Sequence, residues 1–422
     1  MMRRSWFGVG LALGAAMVFS SSAARAQEGA EPSGAAAAES PSADPDVAAT
    51  QGWSAQADTG AQPGGGQGGA KQPEKLAWRG TTFSLDQSLN TQELGVGADY
   101  LSRDPTYEMS WSLRPRYYLY DDDTDSVNVN ARFDLYQELT NSDSTTRERE
   151  PLFGDVWLNG VWGHKLYVDK KAGYLTALQL GPRFIFGTSK ASRGRGMVMQ
   201  LGAGGGLNQT VPLAGPTADF FPSISFTGSA FYMKALDRCT TACNSSFEYT
   251  RQDTGGRTLL SDQLSGGAMV SHQVTAVLGA DTSITDKLTL GLSYVWILQW
   301  THDVGSQPAD VTTATGTATP AGIDSPTRHR VMPWLTAEVD YDLFDEVALA
   351  LGYYNATSQV GPDGTRRSPL WSPDARFFFT ITANLDEIYK LAAGQKSKSA
   401  TAKPAASAPP VAFGGNSPFG AF

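Results

Sequence analysis

The stretch "SVNVNARFDLYQEL", residues 126–139, repeats with a period of two. Val127, Val129, Ala131, Phe133 and Leu135 hold the odd positions, while Asn128, Asn130, Arg132, Asp134 and Glu138 hold most of the even ones. Successive side chains of a strand point to opposite faces, so this segment carries one apolar and one charged face; on a helix the same residues would scatter. The alternation returns along the chain. "MSWSLRPRYYLY" sets Met109, Trp111, Leu113, Tyr117 and Leu119 against Ser110, Ser112, Arg114, Arg116 and Tyr118. "LTLGLSYVWILQW" lines up Leu288, Leu290, Leu292, Tyr294, Trp296, Leu298 and Trp300. "WLTAEVDYDL" opposes Leu335, Ala337, Val339 and Tyr341 to Thr336, Glu338, Asp340 and Asp342. "RFFFTITANL" opposes Phe377, Phe379, Ile381, Ala383 and Leu385 to Phe378, Thr380, Thr382 and Asn384. No amphipathic helix is expected between 76 and 390.

Twelve strands are expected, near 94–101, 109–120, 127–139, 153–162, 173–188, 196–207, 219–234, 268–282, 288–301, 328–343, 347–358 and 375–386. A soluble sandwich would bury the apolar faces against a second sheet, but its strands average about 5–6 residues. Many of these run longer, as tilted membrane strands do. The connections alternate long and short, cleanly in the second half and weakly in the first. Long loops at one end and short turns at the other mark a membrane barrel, with the long ones outside and the short ones in the periplasm. Trp296, Trp300, Tyr117, Tyr341 and Tyr389 fall toward strand ends, where aromatic girdles sit. The apolar faces then meet lipid and the charged faces line the lumen.

The N-terminus fits an exported chain. "MMRRSW" is basic, "FGVGLALGAAMVF" is apolar but short, and "SSSAARA" ends in Ala-x-Ala at Ala24 and Ala26. That is a secretory signal over 1–26. Residues 27–75 are Ala, Gly, Pro, Ser and Gln with few large apolar side chains, and read as a disordered periplasmic linker. Residues 391–422 read as a flexible periplasmic tail whose charges are Lys396, Lys398 and Lys403. Between them, 76–390 is the barrel. Past the signal there is no apolar run of about 18 residues, so no membrane-spanning helix is expected.

The net charge of -9 argues against nucleic acid as a partner. The two cysteines, Cys239 and Cys243, lie in "RCTTACNSS", and in an exported chain read as a small disulfide loop. Zinc would need further ligands, and the four histidines are not spaced to supply them. No metal, cofactor or catalytic residue is expected. Ser271 and His272 are adjacent, which sends them to opposite faces; His302 and Asp303 begin a loop without a nucleophile. "GAGGG" at 202–206 has no Lys or helix after it, so it reads as a packing or bending element rather than a phosphate loop.

On this pattern, the chain resembles bacterial outer-membrane β-barrel proteins of the porin-like kind over residues 80–390, with no sequence motif carrying the likeness. The resemblance implies a closed antiparallel transmembrane β-barrel in the cell outer membrane of a Gram-negative bacterium, set in outer-membrane lipid by the barrel-assembly machinery. About 12 strands are expected, and as many as 18 if loops 235–267 and 302–327 hold further hairpins. Such barrels close on a last strand ending in an aromatic. Here that strand is expected to end near Tyr389 and a tail follows, so the assembly signal is expected inside "FTITANLDEIY".

If 121–126 is a tight turn, Leu119 faces Val127 and Arg114 faces Arg132. Opposed arginines repel unless acids or water lie close. With Arg116 and Arg183 they form an expected basic lumen wall; Glu338, Asp340 and Asp342 form an acidic one across the barrel. Charged walls select polar solutes. Tyr118, Tyr120, Tyr136 and Phe378 are expected as lumen aromatics able to stack on sugar rings. The function expected is passage of small polar solutes. The alternatives are export of a polymer such as exopolysaccharide with periplasmic partners reached through the tails, a plugged structural or adhesive barrel, and, last, an outer-membrane hydrolase.

Overall fold

The computed structural model describes residues 75–90, 107–140, 149–169, 173–213, 220–240, 251–252, 258–259, 269–303, 309–312, 318–321, 328–356, 366–372 and 375–394. The expected signal peptide, nearly all of the linker, Cys243 and most of the C-terminal tail lie outside these residues.

Twelve strands close on themselves. They are β1 (Thr82–Asn90), β2 (Tyr107–Arg114, continuing past Pro115 as Arg116–Asp121), β3 (Asp125–Glu138), β4 (Val156–Asp169), β5 (Tyr174–Phe186) and β6 (Met197–Pro212). Then come β7 (Ser223–Asp237), β8 (Val270–Ser283), β9 (Leu288–Thr301), β10 (His329–Phe344), β11 (Val347–Ala356) and β12 (Arg376–Asn384). Each pairs antiparallel with its chain neighbours, and β1 pairs with β12, so the sheet has no free edge. Closure satisfies every ladder hydrogen bond internally, which a lipid-exposed sheet requires. Pro115 interrupts β2 because it has no N–H to donate, though its carbonyl still accepts from Ala131 N at 3.0 Å.

One end carries the connections 122–124, 170–173, 213–222, 284–287 and 345–346; the other carries 91–106, 139–155, 187–196, 238–269, 302–328 and 357–375. The asymmetry is sharper than expected from the sequence because β4 runs on to Asp169, which shortens the turn after it. The short ladders Arg251–Gln252 with Thr258–Leu259 and Ala309–Thr312 with Ala318–Ala321 are hairpins within the long connections, outside the barrel sheet. They leave the barrel at twelve strands.

Thr82–Asn90 is a strand that the sequence reading left out, and the expected strand at 94–101 lies outside the described residues. Two further expectations are corrected. Among the described residues two helices occur: α1 (Lys190–Arg195) at the long-loop end and α2 (Leu385–Ala392) directly after β12. The last strand therefore stops at Asn384; Tyr389 is helical, and the expected boundary before residue 391 falls inside α2. Cys239 is disulfide-bonded, and the chain's only other cysteine is Cys243.

The two faces separate as the alternation requires. Leu113, Phe133, Leu158, Leu180, Leu207, Phe226, Leu278, Leu292, Leu351 and Phe379 are exposed on the outer surface, and Ser84, Ser112, Asn128, Arg132, Asn159, Gln273, Gln299 and Thr336 are buried inside. A continuous apolar exterior around a polar interior is the arrangement that lipid outside and water inside select.

Candidate functional site

The interior is built from every second residue of each strand. From β12 through β5 it is a polar network. Asp86 of β1 accepts hydrogen bonds from Thr380 at 2.5 Å and Ser110 at 3.4 Å. Arg376 of β12 reaches over β1, donating to Ser88 at 3.2 Å and to Glu108 of β2 at 3.1 Å. Ser112 bonds Asp134, which also holds Arg132 at 2.5 Å. Asn159 donates to Asn130, and Arg183 Nε donates to Asn159 Oδ1, both at 2.8 Å. The guanidinium groups of Arg132 and Arg183 each lie 5.3 Å from the Trp157 ring, and Arg183 lies 4.4 Å from that of Phe231. Stacking of this kind suits a cation held away from bulk water.

Glycines make room for it. Inward Gly202, Gly204 and Gly206 of β6 stand beside β7, and a Cβ on Gly204 would sit 2.4 Å from the Phe231 ring. The GAGGG run is thus a packing element, as read from its sequence. Gly352 does the same for Phe378, whose ring would lie 2.3 Å from an added Cβ.

Across β8 to β12 the interior turns apolar. Val277, Val295, Ile297, Met332, Trp334, Ala350, Tyr354 and Phe378 form one buried cluster. Toward the short turns lies an acidic patch. Asp281, Gly291 and Glu338 sit in one row, Asp340 pairs with Thr289 and Ala350, and Asp342 pairs with Ala348. Lys287, in the turn before β9, stands opposite Asp342, whose N donates to the Lys287 carbonyl at 2.8 Å. Beside Asp281, Glu338 and Asp340 the inward ladder positions of β8, β9 and β11 carry neither Lys nor Arg.

The ladder sets Arg116 against Asn130 and Leu113 against Phe133, so Arg114 falls beside Arg132, the expected register. Arg116 turns toward the short-turn end, where its Nη1 would lie 3.1 Å from a Cβ on Gly80. Arg183, Glu338, Asp340 and Asp342 occupy inward positions, as do Tyr118, Tyr136 and Phe378. Arg79 caps the Tyr118 ring at 3.6 Å. Tyr120 does not share that face. A bulge between Tyr118 and Tyr120 shifts the register, so Tyr120 pairs with outward-facing Val127, and it is 52% exposed. Leu119 accordingly does not face Val127.

The opposed-wall picture also changes. Asp86, Glu108, Asp134 and Glu138 share the side that holds Arg114, Arg132 and Arg376, so those arginines are compensated where they stand. Sequence reading missed Asp86, Glu108, Arg376, Trp157, Asn159 and Asp281. Parity alone marks Arg376, which shares the face of Phe378 and Thr380.

Ser271 and His272 do take opposite faces, but the Ser271 hydroxyl lies 3.4 Å from His272 Nδ1 and accepts from Lys234 Nζ at 2.6 Å. The His272 ring is held on the outer surface by stacking on Trp300 at 5.0 Å. Among the described residues, no group of three or more His, Cys, Asp or Glu is placed to hold a metal ion.

These features define a class: a closed up-and-down β-barrel of the outer-membrane kind, with an apolar belt facing lipid. No protein-family model and no curated protein matches the chain. Among solved structures it is similar to an outer-membrane channel from Pseudomonas putida F1, at 9% identity and a TM-score of 0.38, over 75% of this chain and 99% of that one. It is also similar to the KdgM porin, at 4% identity and a TM-score of 0.30, over 72% of this chain and 98% of that one. A third is the transport unit of the autotransporter AIDA-I from Escherichia coli, at 8% identity and a TM-score of 0.34, over 75% and 92%. Likeness at this level carries no argument about what passes through the barrel; the strand ladder itself establishes the fold.

Proposed function

We propose that the barrel is a narrow channel for small polar solutes with a preference for cations. One observation carries the reading. The inward hydroxyls of Ser84, Ser229, Thr275, Ser293 and Thr336 are buried and find no hydrogen-bond partner among the described residues. Buried polar atoms are almost always satisfied, so these call for water or a polar solute inside the barrel. The cation preference draws on Asp281, Glu338 and Asp340, since Arg114, Arg132 and Arg376 already face acids of their own. Twelve strands give a width suited to small solutes rather than polymers.

A second reading, a plugged structural barrel, draws on the apolar cluster and on the near-complete burial of Arg183, Gln273 and Gln299. Swelling of liposomes containing the full-length mature protein separates the two. A channel admits monosaccharides and amino acids but excludes longer oligosaccharides. A plugged barrel admits none, and a polymer exporter admits both.

The short-turn end is assigned to the periplasm, with both tails there, and 1–26 to a signal peptide cleaved after Ala26. Epitopes inserted near Gly256 and Thr315 should bind antibody on intact cells, while one after Lys403 should not. Labelling of the last on intact cells reverses the assignment.

A further inference from the structure

We infer that α2 is an interfacial helix, lying in the lipid leaflet at the short-turn end with its apolar face among the acyl chains. The inference rests on the barrel being embedded in a membrane, and not on its being a channel.

The helix "LDEIYKLA" divides cleanly. At 100° per residue, Asp386, Glu387 and Lys390 fall on one side, and Leu385, Ile388, Tyr389, Leu391 and Ala392 cover the rest. A helix docked on a protein from water turns its apolar stripe inward. This one does the reverse. Its buried residue is Asp386, whose Oδ1 accepts from Gly80 N at 3.1 Å. Lys390 closes the polar side, bonding Glu387 at 2.6 Å and Asp386 at 3.5 Å. Ile388 is left 39% exposed and Leu391 60% exposed.

The occupant follows from continuity with the lipid-facing belt. The helix begins one residue after β12, and Leu385 N donates to Thr81 O at 2.9 Å, beside the foot of β1. Just above is outward Phe83 of β1, paired with Ala383 at the foot of β12, and farther up β12 outward Phe379 continues the belt; both are exposed to lipid. The apolar side of α2 therefore carries the belt past the last ladder bond to the headgroup level, where amphipathic helices settle about 5–10 Å into the boundary. Trp78 meets Tyr389 edge-on at 5.4 Å, placing two interface-seeking aromatics together at that depth.

The test uses the full-length mature protein folded into vesicles of phosphatidylethanolamine and phosphatidylglycerol. Single cysteines are introduced as Ile388→Cys, Leu391→Cys or Glu387→Cys and labelled without reductant, so that the disulfide of Cys239 stays closed. The label is an environment-sensitive fluorophore. Lipids bearing a nitroxide high on the acyl chain should quench positions 388 and 391 several-fold more than position 387, with blue-shifted emission at the first two. Equal quenching at all three positions overturns the inference, as does blue-shifted emission that the lipid nitroxide leaves unquenched, which points to a protein occupant. The measurement is repeated after deletion of residues 395–422. Lipid contact that appears only in the deletion makes the chain's own C-terminus the occupant, and also overturns it. Channel activity need not change in any arm.

Discussion

Arg376 of β12 and Glu108 of β2 form a buried ion pair 3.1 Å long across the intervening β1. Ser88 of β1 sits beneath the contact and accepts from the same guanidinium nitrogen. Three strands from opposite ends of the chain are thus clamped where the barrel closes. Removing one partner of a buried pair leaves the other charge uncompensated, a loss of about 3–5 kcal/mol. Arg376→Ala should lower the midpoint of heat-modified gel mobility sharply, and Arg376→Ala with Glu108→Gln should recover much of the loss. Equal midpoints for the single and double variants would show that the pair does not hold the seam.

Gly352 and Phe378 fit as socket and ring. An added methyl would lie 2.3 Å from the ring and 2.8 Å from the Ala337 carbonyl oxygen. Overpacking a filled interior costs about 1–3 kcal/mol. Gly352→Ala should destabilise the barrel by that order in urea unfolding, and Phe378→Leu should relieve part of it. An unchanged midpoint for Gly352→Ala would place the ring elsewhere.

Much of the barrel is legible in the sequence because each strand has lipid on one side and a polar interior on the other. Period two then marks both strands and faces, and even the Arg114–Arg132 register follows from a single turn. β1 escapes for a physical reason. Gln87 interrupts its outer face, and that amide is satisfied by the Tyr107 hydroxyl at 2.7 Å, a partner visible only after pairing. The interior ion pairs are hidden in the same way, since Arg376 meets Glu108 only when the ring closes. Tyr120 is misplaced because a bulge shifts parity without changing composition. For α2 the signal was present: Leu385, Ile388, Tyr389 and Ala392 have helical spacing, but the strand pattern before them runs straight into it.

Asp122 in the turn between β2 and β3 is held well below the usual carboxylate value of 3.8, at about 2. The cause is hydrogen bonding to its charged form, foremost by Asp125 N, then by the Tyr120 hydroxyl and Thr124 N. A lowered folded value stabilises the turn above pH 3.8, and that contribution is lost as pH falls through about 2. Carboxyl carbon NMR in micelles should place the Asp122 midpoint near 2, and amide exchange at Asp125 should speed up below it. A midpoint at 3.8 would mean the turn does not form these bonds.

Leu292 projects into lipid from the middle of β9 and is 53% exposed, whereas its neighbour Ser293 faces inward and is buried. Leu292→Arg should cost about 2–4 kcal/mol or block assembly, since an arginine near the bilayer midplane finds no water. Ser293→Ala should fold normally. Normal assembly of Leu292→Arg would reverse the two faces of β9.

In a channel of this kind the acidic patch lines the conducting path. Reversal potentials across a planar bilayer, under a salt gradient, test this in the wild-type protein and in the triple variant Glu338→Gln, Asp340→Asn, Asp342→Asn. Fixed charge in a narrow pore sets which ion passes, and lumen substitutions are the kind that tune selectivity. The wild type should conduct with a cation preference that the triple variant loses. Silent bilayers containing fully inserted wild-type barrels, or identical reversal potentials in the two proteins, would contradict the channel and leave the plugged barrel in its place.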